Sequence, residues 1–295
     1  MAMQPISLTS GMRANLVSLQ NTNSLMELTQ KKLASGKKVN SALDDPVAYF
    51  TAMAHDQRAG DLAGRKDEMS EAVQTVKAAD AGIQSINTLL TAAKSLASSA
   101  LSADFTSATT LNDQYKTVLT QINQMAADSG YKGINLLAGT DASLTVKFNE
   151  GGITSNLNIV GFNAASTVAG SHGTSLALKD GGTTAGAGES WLYGSSVTST
   201  ANTATINSAI TALDSAKDTL RTQSSKLANN LAIITARQEF TQNMINVLKD
   251  GAAGLTNADM NEEGANMLML QTRQALGTTS LSLASQAAQS VLRLF

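Results

Sequence analysis

Cysteine is absent from the 295-residue sequence, and its absence excludes disulfides, cysteine–zinc sites and thiol catalysis. Proline occurs only twice, at Pro5 and Pro46, and aromatic residues make up only 4% of the chain. A chain with so few large aromatic side chains builds thin helical interfaces more readily than one thick globular core. The length allows two or three domains or one elongated rod.

A strong charge of either sign is also missing. The 21 basic and 23 acidic residues leave a formal net charge of −2, which gives no reason to expect nucleic acid or an anionic membrane as a partner. No apolar run approaches the roughly 20 residues that would span a bilayer, so membrane insertion is not expected. The opening segment, MAMQPISLTSGM, lacks the basic patch and apolar core of a cleavable secretory signal, and we expect no such signal.

What the chain does have is an apolar stripe at each end, spaced as on one face of an α-helix. The first stripe comprises Leu8, Met12, Leu16, Leu19, Met26 and Leu33. The second comprises Met269, Leu276, Leu283, Ala287, Val291 and Leu294. Other leucines, such as Leu25, Leu28, Leu268 and Leu270, lie off these stripes. A helix that is apolar on more than one face needs more than one neighbour.

These terminal helices are therefore expected to need partners. Burying the side chains of one stripe is worth about 10–15 kcal/mol, whereas ordering a helix of that length costs roughly 1–2 kcal/mol per residue in backbone entropy. One terminal helix alone is not expected to persist. We predict that the residues of both stripes pack against other copies of the chain, so that the protein self-assembles.

Between the ends, seven-residue repeats predict long helices that pack side by side. One such helix is predicted from about Asp56 to Ala100 and would be about 65 Å long. One of its heptad positions holds Leu62, Met69, Val76, Ile83, Leu90 and Ala97. The other holds Ala72, Ala79, Ile86, Ala93 and Ala100, and alanine there allows close helix–helix approach. A later repeat comprises Ile206, Leu213, Leu220, Leu227, Ile234, Thr241 and Leu248. Gly251 and Gly254 are expected to end that helix.

Local signals predict where other elements begin and end. The first helix is expected to end near residues 32–35, with Gly36 in the usual helix-stopping position. Asp44-Asp45-Pro46 interrupts helical geometry and is expected to form a turn. Asp259, with Glu262 three residues later, is expected to cap the last helix.

The middle of the chain changes character. A short helix is expected from about Thr110 to Gly130. Beyond Gly139 apolar residues alternate with polar ones, which predicts a β-hairpin with a turn at Glu150-Gly151-Gly152. The residues expected to face inward are Leu144, Val146, Phe148, Leu157 and Ile159. The segment that follows, up to about Thr205, is rich in glycine, serine and threonine.

The predicted fold is mainly α. Long antiparallel heptad helices from both chain ends pack side by side, with a small β-hairpin or irregular tip in the middle. We divide it into an inner terminal helix pair (residues 1–40 and 256–295), a helical rod (41–139 and 203–255) and an outer segment (140–202).

Residues that carry catalysis are scarce. His55 and His172 are the only histidines, and neither belongs to an HExxH helix. His55, placed near the start of the long helix, is expected to be exposed or to cap it. Asp44-Asp45 suits a turn better than a metal or acid pair, and Glu262-Glu263 suits a helix N-terminus. We predict no catalytic, metal-binding or cofactor-binding residue and no enzyme activity.

Two stretches resemble the signature ends of bacterial flagellin. They are KLASGKKVNSALDDP (Lys32 to Pro46) and NMLMLQTRQALGTTSLSLASQAAQSVLRLF (Asn266 to Phe295), and the long heptads between them resemble the flagellin rod. The resemblance covers roughly residues 1–139 and 203–295, and the middle looks like a reduced outer domain. Pro46 stands where many members of the family have alanine.

The resemblance implies a structural subunit that self-assembles into the flagellar filament for motility. Its implied partners are other copies of itself in a helical filament, a flagellar export chaperone, the export apparatus, the filament cap and the hook-junction proteins. Its implied location is the extracellular flagellum, which it reaches through the flagellar export channel. A hook–filament junction protein of the same architecture and a surface glycan-binding adhesin are the alternatives.

The resemblance also bears on the outer segment. Similar flagellins are often O-glycosylated on exposed tip residues, which makes candidates of Ser195, Ser196, Thr198, Ser199 and Thr200. Trp191 and Tyr193 serve either a carbohydrate contact or the small core of the tip, and the core is the favoured role because aromatic side chains dominate small cores.

Overall fold

The computed structural model describes residues 10–139, 141–149, 155–165 and 203–292. Over these residues the chain forms five helices and one hairpin: α1 (Ser10–Ser35), α2 (Pro46–Ala100), α3 (Phe105–Asp128), β1 (Ser143–Lys147), β2 (Asn156–Val160), α4 (Thr203–Thr256) and α5 (Met260–Leu292). The predicted mainly α fold is confirmed. The chain divides into two compact units, the first with residues 1–59 and 246–295 and the second with residues 60–245.

α1 ends at a glycine, as predicted. Gly36 has a φ of 69°, a left-handed conformation that favours glycine. Its N–H donates to the carbonyl of Lys32 at 2.8 Å. The chain then pairs with the segment that follows α4, since the N–H of Lys38 donates to the Thr256 carbonyl at 2.7 Å and that of Ala258 to the Gly36 carbonyl at 3.0 Å. These bonds join the end of α1 to the segment that leads into α5.

α2 begins earlier than predicted. The Oδ1 of Asp45 accepts a hydrogen bond from the N–H of Ala48 at 3.0 Å, so Asp45 caps the helix and Pro46 takes the first helical position. The predicted turn is confirmed, but the predicted helix start near Asp56 is wrong because that turn is itself the cap. α2 therefore has 55 residues and is about 80 Å long.

α1 and α5 pack against each other in the first unit. Their buried and half-buried positions alternate at intervals of three and four residues. On α1 these are Met12, Asn15, Leu19, Thr22, Met26, Thr29 and Leu33, and on α5 they are Glu263, Met267, Leu270, Gln274, Gly277, Leu281 and Ala284. The helices run antiparallel: Leu19 covers Gly277, and the side chain of Gln274 donates to that of Asn23 at 3.0 Å. We call this contact the terminal seam.

The main core lies in the second unit and follows the predicted heptads. Every position of the repeats from Leu62 to Ala100 and from Ile206 to Leu248 is buried, which confirms both repeats. α3 adds Tyr115, Leu119 and Ile122 to the same cluster. Each long helix thus buries a narrow row of aliphatic side chains, as expected for a chain with few aromatic residues.

Polar contacts beside this core fix the register of α2 against α4. They join Lys66 to Gln242, Ser70 to Gln238, Asp80 to Ser224, Thr91 to Lys217 and Lys94 to Asp214. As the position rises along α2 it falls along α4, so the two helices are antiparallel in the second unit. We call this series of contacts the polar ladder.

α3 also begins earlier than predicted. Asp104 precedes its first residue, and the N–H of Ala108 donates to the Asp104 carbonyl at 2.8 Å. A helical turn is thus complete before Thr110, the predicted start. The predicted start was wrong because it rested on an apolar spacing that begins only at Leu111, whereas the helix already begins at Phe105.

α4 continues past the two glycines that were expected to end it. Gly251 and Gly254 lie inside the helix, which ends at Thr256. Glycine within a helix costs only about 1 kcal/mol relative to alanine, and the buried side chains of Leu248 and Ala252 on the same turns offset that cost. Burial, not local propensity, decides this boundary.

The hairpin is confirmed. β1 and β2 are antiparallel, with Leu144 opposite Ile159 and Val146 opposite Leu157, and Val146 and Ile159 are buried in the core cluster. The predicted turn at residues 150–152 lies outside the described residues. So do the tip side chains for which roles were predicted, His172, Trp191 and Tyr193.

Candidate assembly surface

Exposed apolar side chains are concentrated in the first unit. Among the described residues, nineteen large apolar side chains are exposed, and fourteen of them lie in this unit, although it is the smaller of the two. The main core cluster lies in the second unit. Because soluble monomers rarely gather exposed apolar side chains in this way, their concentration marks a surface for interaction.

α5 presents its predicted stripe to solvent rather than to α1. Met269, Leu276 and Leu283 follow one another at seven-residue intervals and are 52%, 66% and 62% exposed. We call these three residues the exposed row. Ala287 is exposed as well, whereas Leu294 and the side chain of Val291 lie outside what the structure describes. That these residues contact a second subunit stays a prediction.

On α1 the predicted stripe has mixed surroundings. Met12 is buried, and Leu19, Met26 and Leu33 are half-buried in the terminal seam, whereas Leu16 is exposed. A different face of the helix carries the exposed side chains of Val17, Leu25 and Leu28. Leu8 lies outside the described residues. α1 thus meets α5 through most of its stripe and keeps a second apolar face free.

The start of α2 and the turn before it carry exposed apolar side chains that sequence reasoning missed. Leu43 is 95% exposed, and Val47, Phe50 and Met53 are exposed as well. Val47, Phe50 and Met53 follow one another inside α2 at intervals of three residues, which is a helical signal, whereas Leu43 lies in the turn before the helix. The signal was overlooked because the helix was expected to begin only near Asp56.

An ion pair crosses the terminal seam. The Nζ of Lys32 lies 2.9 Å from the Oε1 of Glu263, and Glu263 is only 8% exposed. The predicted cap of α5 is also confirmed, since the Oδ1 of Asp259 accepts a hydrogen bond from the N–H of Asn261 at 2.8 Å. Glu263 therefore does more than favour the helix N-terminus: it links the two terminal helices.

The carboxylate of Asp44 organises the turn before α2. Its Oδ2 accepts hydrogen bonds from the backbone N–H groups of Asn40 and Ser41 at 3.0 and 2.9 Å. These bonds hold the pKa of Asp44 below its ordinary value, because they favour the charged form. The turn-forming role predicted for Asp44 is confirmed.

No group of three His, Cys, Asp or Glu side chains in the described ranges is placed to hold a metal ion. His55 is half-buried inside α2, beside Gly251, so its predicted place near a helix start is wrong because α2 begins earlier. None of the helices that the structure describes could cross a bilayer. The glycosylation candidates from Ser195 to Thr200 lie outside the described residues.

Comparison with protein families assigns both helical parts of the chain. The family model of the bacterial flagellin N-terminal helical region matches residues 7–142, and that of the C-terminal helical region matches residues 203–295. The two matched segments contain α1 to α3, α4 and α5, and therefore every residue of the exposed row and the terminal seam.

Whole-chain relatives agree with the family models. The chain is 27% identical to flagellin FljM of Caulobacter vibrioides over the full length of both proteins. It is 26% identical to a flagellin of Brucella melitensis over 95% of each chain. Among solved structures, the crystal structure of Bacillus cereus flagellin is 16% identical, with a TM-score of 0.44, over 59% of this chain and 88% of that one.

Proposed function

This chain belongs to the bacterial flagellin family and is a structural subunit of the extracellular flagellar filament, and from this premise we propose that the exposed apolar faces of its terminal helices join it to neighbouring subunits. The observation that carries the proposal is the exposed row of α5. Met269, Leu276 and Leu283 are each more than half exposed, although a seam of the same helix already packs on α1.

The composition of the terminal seam supports the same proposal. Thr22, Thr29 and Glu263 are buried there, and Gln274 and Asn15 are half-buried. A seam with so many polar positions gains less from burial than an aliphatic one. The helix pair is therefore expected to need further apolar contacts, and neighbouring subunits supply them on the faces that remain exposed.

We extend the proposal to the organisation of the subunit. Residues 1–40 and 256–295 form an inner layer of terminal helices, residues 41–139 and 203–255 form the rod, and residues 140–202 form the outer segment. The contacts of the inner layer then involve the predicted apolar residues near the two chain ends, including Leu8, Met12, Leu16, Ala287, Val291 and Leu294. Serines and threonines of the outer segment, Ser195 to Thr200 among them, are the candidates for O-glycosylation.

The remaining proposed partners are those that a flagellin meets during export and filament assembly. The subunit leaves the cell through the flagellar export apparatus with an export chaperone, and it joins a filament bounded by cap and hook-junction proteins. It has a structural role and no catalytic one. The two family models and the named flagellin relatives favour this role over a hook–filament junction protein or an adhesin.

The substitution Leu283→Asp tests the proposal. A carboxylate placed in a packed apolar contact without a partner is strongly unfavourable, so the variant should fold but not polymerise. Leu283→Met is the matched control, because it keeps an apolar side chain of similar volume. Polymerisation is measured by sedimentation and electron microscopy, and folding by circular dichroism. Filaments of normal length from Leu283→Asp would refute the assignment of the exposed row to subunit contacts.

A further inference from the structure

Methionine is unevenly distributed between the two units. Eight of the eleven methionines fall in the sequence of the first unit. Because the chain has no cysteine, the methionine thioether is its most readily oxidised side chain. The sulfur chemistry of this protein is thus concentrated in the unit that carries most of its exposed apolar side chains.

Met269 has the most consequential position among these methionines. It is 52% exposed and belongs to the exposed row with Leu276 and Leu283, so its thioether is open to reagents in the free subunit. Met12, by contrast, is buried, and Met26 and Met267 are half-buried. Met53 and Met260 are exposed in the same unit but lie outside the row.

We propose that Met269 is an oxidant-sensitive modification site, at which peroxide converts the free subunit into a form that does not enter the filament. This inference rests on the proposed function, because it assumes that the exposed row becomes buried against a neighbouring subunit. Oxidation replaces an apolar thioether with a strongly polar sulfoxide. A polar group buried without a hydrogen-bond partner opposes the contact.

The reaction needs only hydrogen peroxide as co-reactant. The sulfur of Met269 attacks one peroxide oxygen, the O–O bond breaks and an S–O bond forms. The thioether loses two electrons and becomes a sulfoxide, while the other peroxide oxygen leaves as water. Methionine sulfoxide is reducible, so the modification is reversible while the subunit stays free. Once the row is packed in a filament, the sulfur is shielded from peroxide.

A sorting experiment tests the proposal on the wild-type chain. Free subunits are treated with hydrogen peroxide until they carry on average less than one sulfoxide each, and are then polymerised onto wild-type filament seeds and sedimented. Mass spectrometry compares each sulfoxide between pellet and supernatant. Met269 sulfoxide should be enriched about tenfold in the supernatant, as expected for an unpaired polar group in an apolar contact. Met125 sulfoxide, on α3 of the second unit, should be distributed evenly.

Equal amounts of Met269 sulfoxide in pellet and supernatant would overturn the proposal, as would equal enrichment of the Met125 and Met269 sulfoxides. A pair of variants adds a causal test. After the same limited oxidation, Met53→Leu with Met260→Leu should still leave a fraction of subunits unpolymerised that matches its Met269 sulfoxide, and addition of Met269→Leu should restore that fraction to the filament. Leucine is close to methionine in volume and does not form a sulfoxide. If both variants respond alike to peroxide, Met269 is not the site.

The outcome also separates this inference from the proposed function. If Leu283→Asp fails to polymerise while Met269 sulfoxide enters filaments freely, only the oxidation proposal is wrong. If Leu283→Asp polymerises normally, the exposed row is not a subunit contact and both proposals are wrong. Peroxide treatment of preformed filaments should leave Met269 about tenfold less oxidised than in free subunits, because oxidation depends on exposure of the sulfur, and equal oxidation in both states would overturn the oxidation proposal.

Discussion

Gly161 occupies a place where no side chain fits. A Cβ at this residue would lie 2.7 Å from the carbonyl oxygens of Leu136, Gly139 and Ala142. The close approach lets the N–H of Gly161 donate to the Ala142 carbonyl at 2.7 Å, which joins the end of β2 to the segment before β1. Absence of a side chain is thus a requirement of the hairpin.

Gly161→Ala should lower the free energy of unfolding of the free subunit by about 1–3 kcal/mol, because backbone atoms must move apart. Gly64→Ala is the matched control: Gly64 lies inside α2 with open space around it, and alanine there should raise stability by about 0.5–1 kcal/mol. Urea unfolding followed by circular dichroism measures both. A Gly161→Ala chain as stable as wild type would show that the carbonyl cluster is not rigid.

Asp44 gives the turn before α2 a defined pH dependence. Its pKa is lowered from 3.8 by the backbone N–H groups of Asn40 and Ser41, so the charged form stabilises the folded turn. That stabilisation is complete above the unfolded pKa and is lost as the pH falls through the lower, folded pKa. The amide resonances of Asn40 and Ser41 should therefore shift at a pH below 3.8. Asp44→Asn should abolish this titration, and a midpoint above 3.8 would contradict the assignment.

At the residue scale, local roles could be predicted and distant ones could not. Asp45 and Asp259 meet partners within three residues, so their sequence neighbourhood contains the whole interaction. The pairing of Lys32 with Glu263 spans 231 residues. Nothing in the neighbourhood of either residue specifies that pair, because it depends on how α1 aligns with α5.

At the scale of helices, periodicity proved sufficient for the core but not for the boundaries. The seven-residue repeat of α4 from Ile206 to Leu248 is buried throughout, because burial acts on the same spacing that the sequence displays. Boundaries depend on a competition between caps, glycine and packing. Gly251 therefore failed as a stop signal where Leu248 and Ala252 are buried beside it.

Two neighbouring isoleucines of α4 test the register of the core. Ile234 is fully buried, whereas Ile233 is 37% exposed. Ile234→Ala should lower the free energy of unfolding by about 2–5 kcal/mol through lost contacts and a cavity. Ile233→Ala makes the same chemical change and should cost less than about 1 kcal/mol. Equal losses in urea unfolding would mean that α4 is rotated about its axis relative to the described structure.

The sequence does not indicate which face of α5 packs on α1. Met269, Leu276 and Leu283 form its most apolar row, yet the face that packs on α1 contains Glu263, Leu270 and Gly277. Apolar spacing identifies rows that require burial but does not say which row meets which partner. The partner of α5 within the chain is selected by fit, as where Leu19 covers Gly277.

At the scale of the whole molecule, the sequence predicted that the chain ends require partners but not every place where partners are required. The terminal stripes led to self-assembly, and the flagellin family agrees with that prediction. The exposed side chains of Leu43, Val47 and Phe50 went unnoticed. The helical spacing of Val47 and Phe50 is recognised only once the start of α2 is known, and the cap at Asp45 sets that start.

Order at the chain ends should depend on assembly. Limited proteolysis of free subunits should cut within α1 and α5, because their exposed apolar faces lack partners and the terminal seam is rich in polar residues. Assembled filaments should resist the same treatment. Mass spectrometry of the fragments identifies the cuts, and the second unit of the free subunit serves as the internal control for folding. Equal resistance of α1 and α5 in both states would contradict this account.

The polar ladder also removes an ambiguity in the alignment of two helices that pack through a repeating seam. A seam with an apolar residue at every seventh position looks nearly the same after a slip of one heptad, so on its own it leaves several alignments almost degenerate. The ladder does not repeat. A slip of seven residues along α4 in one direction would bring Lys94 opposite Arg221, which places like charges together. A slip in the other direction would bring Lys94 opposite Asn207, which leaves its ammonium group without the carboxylate of Asp214. A few polar contacts between mostly half-buried side chains, each worth little in isolation, thus select one alignment of the two long helices.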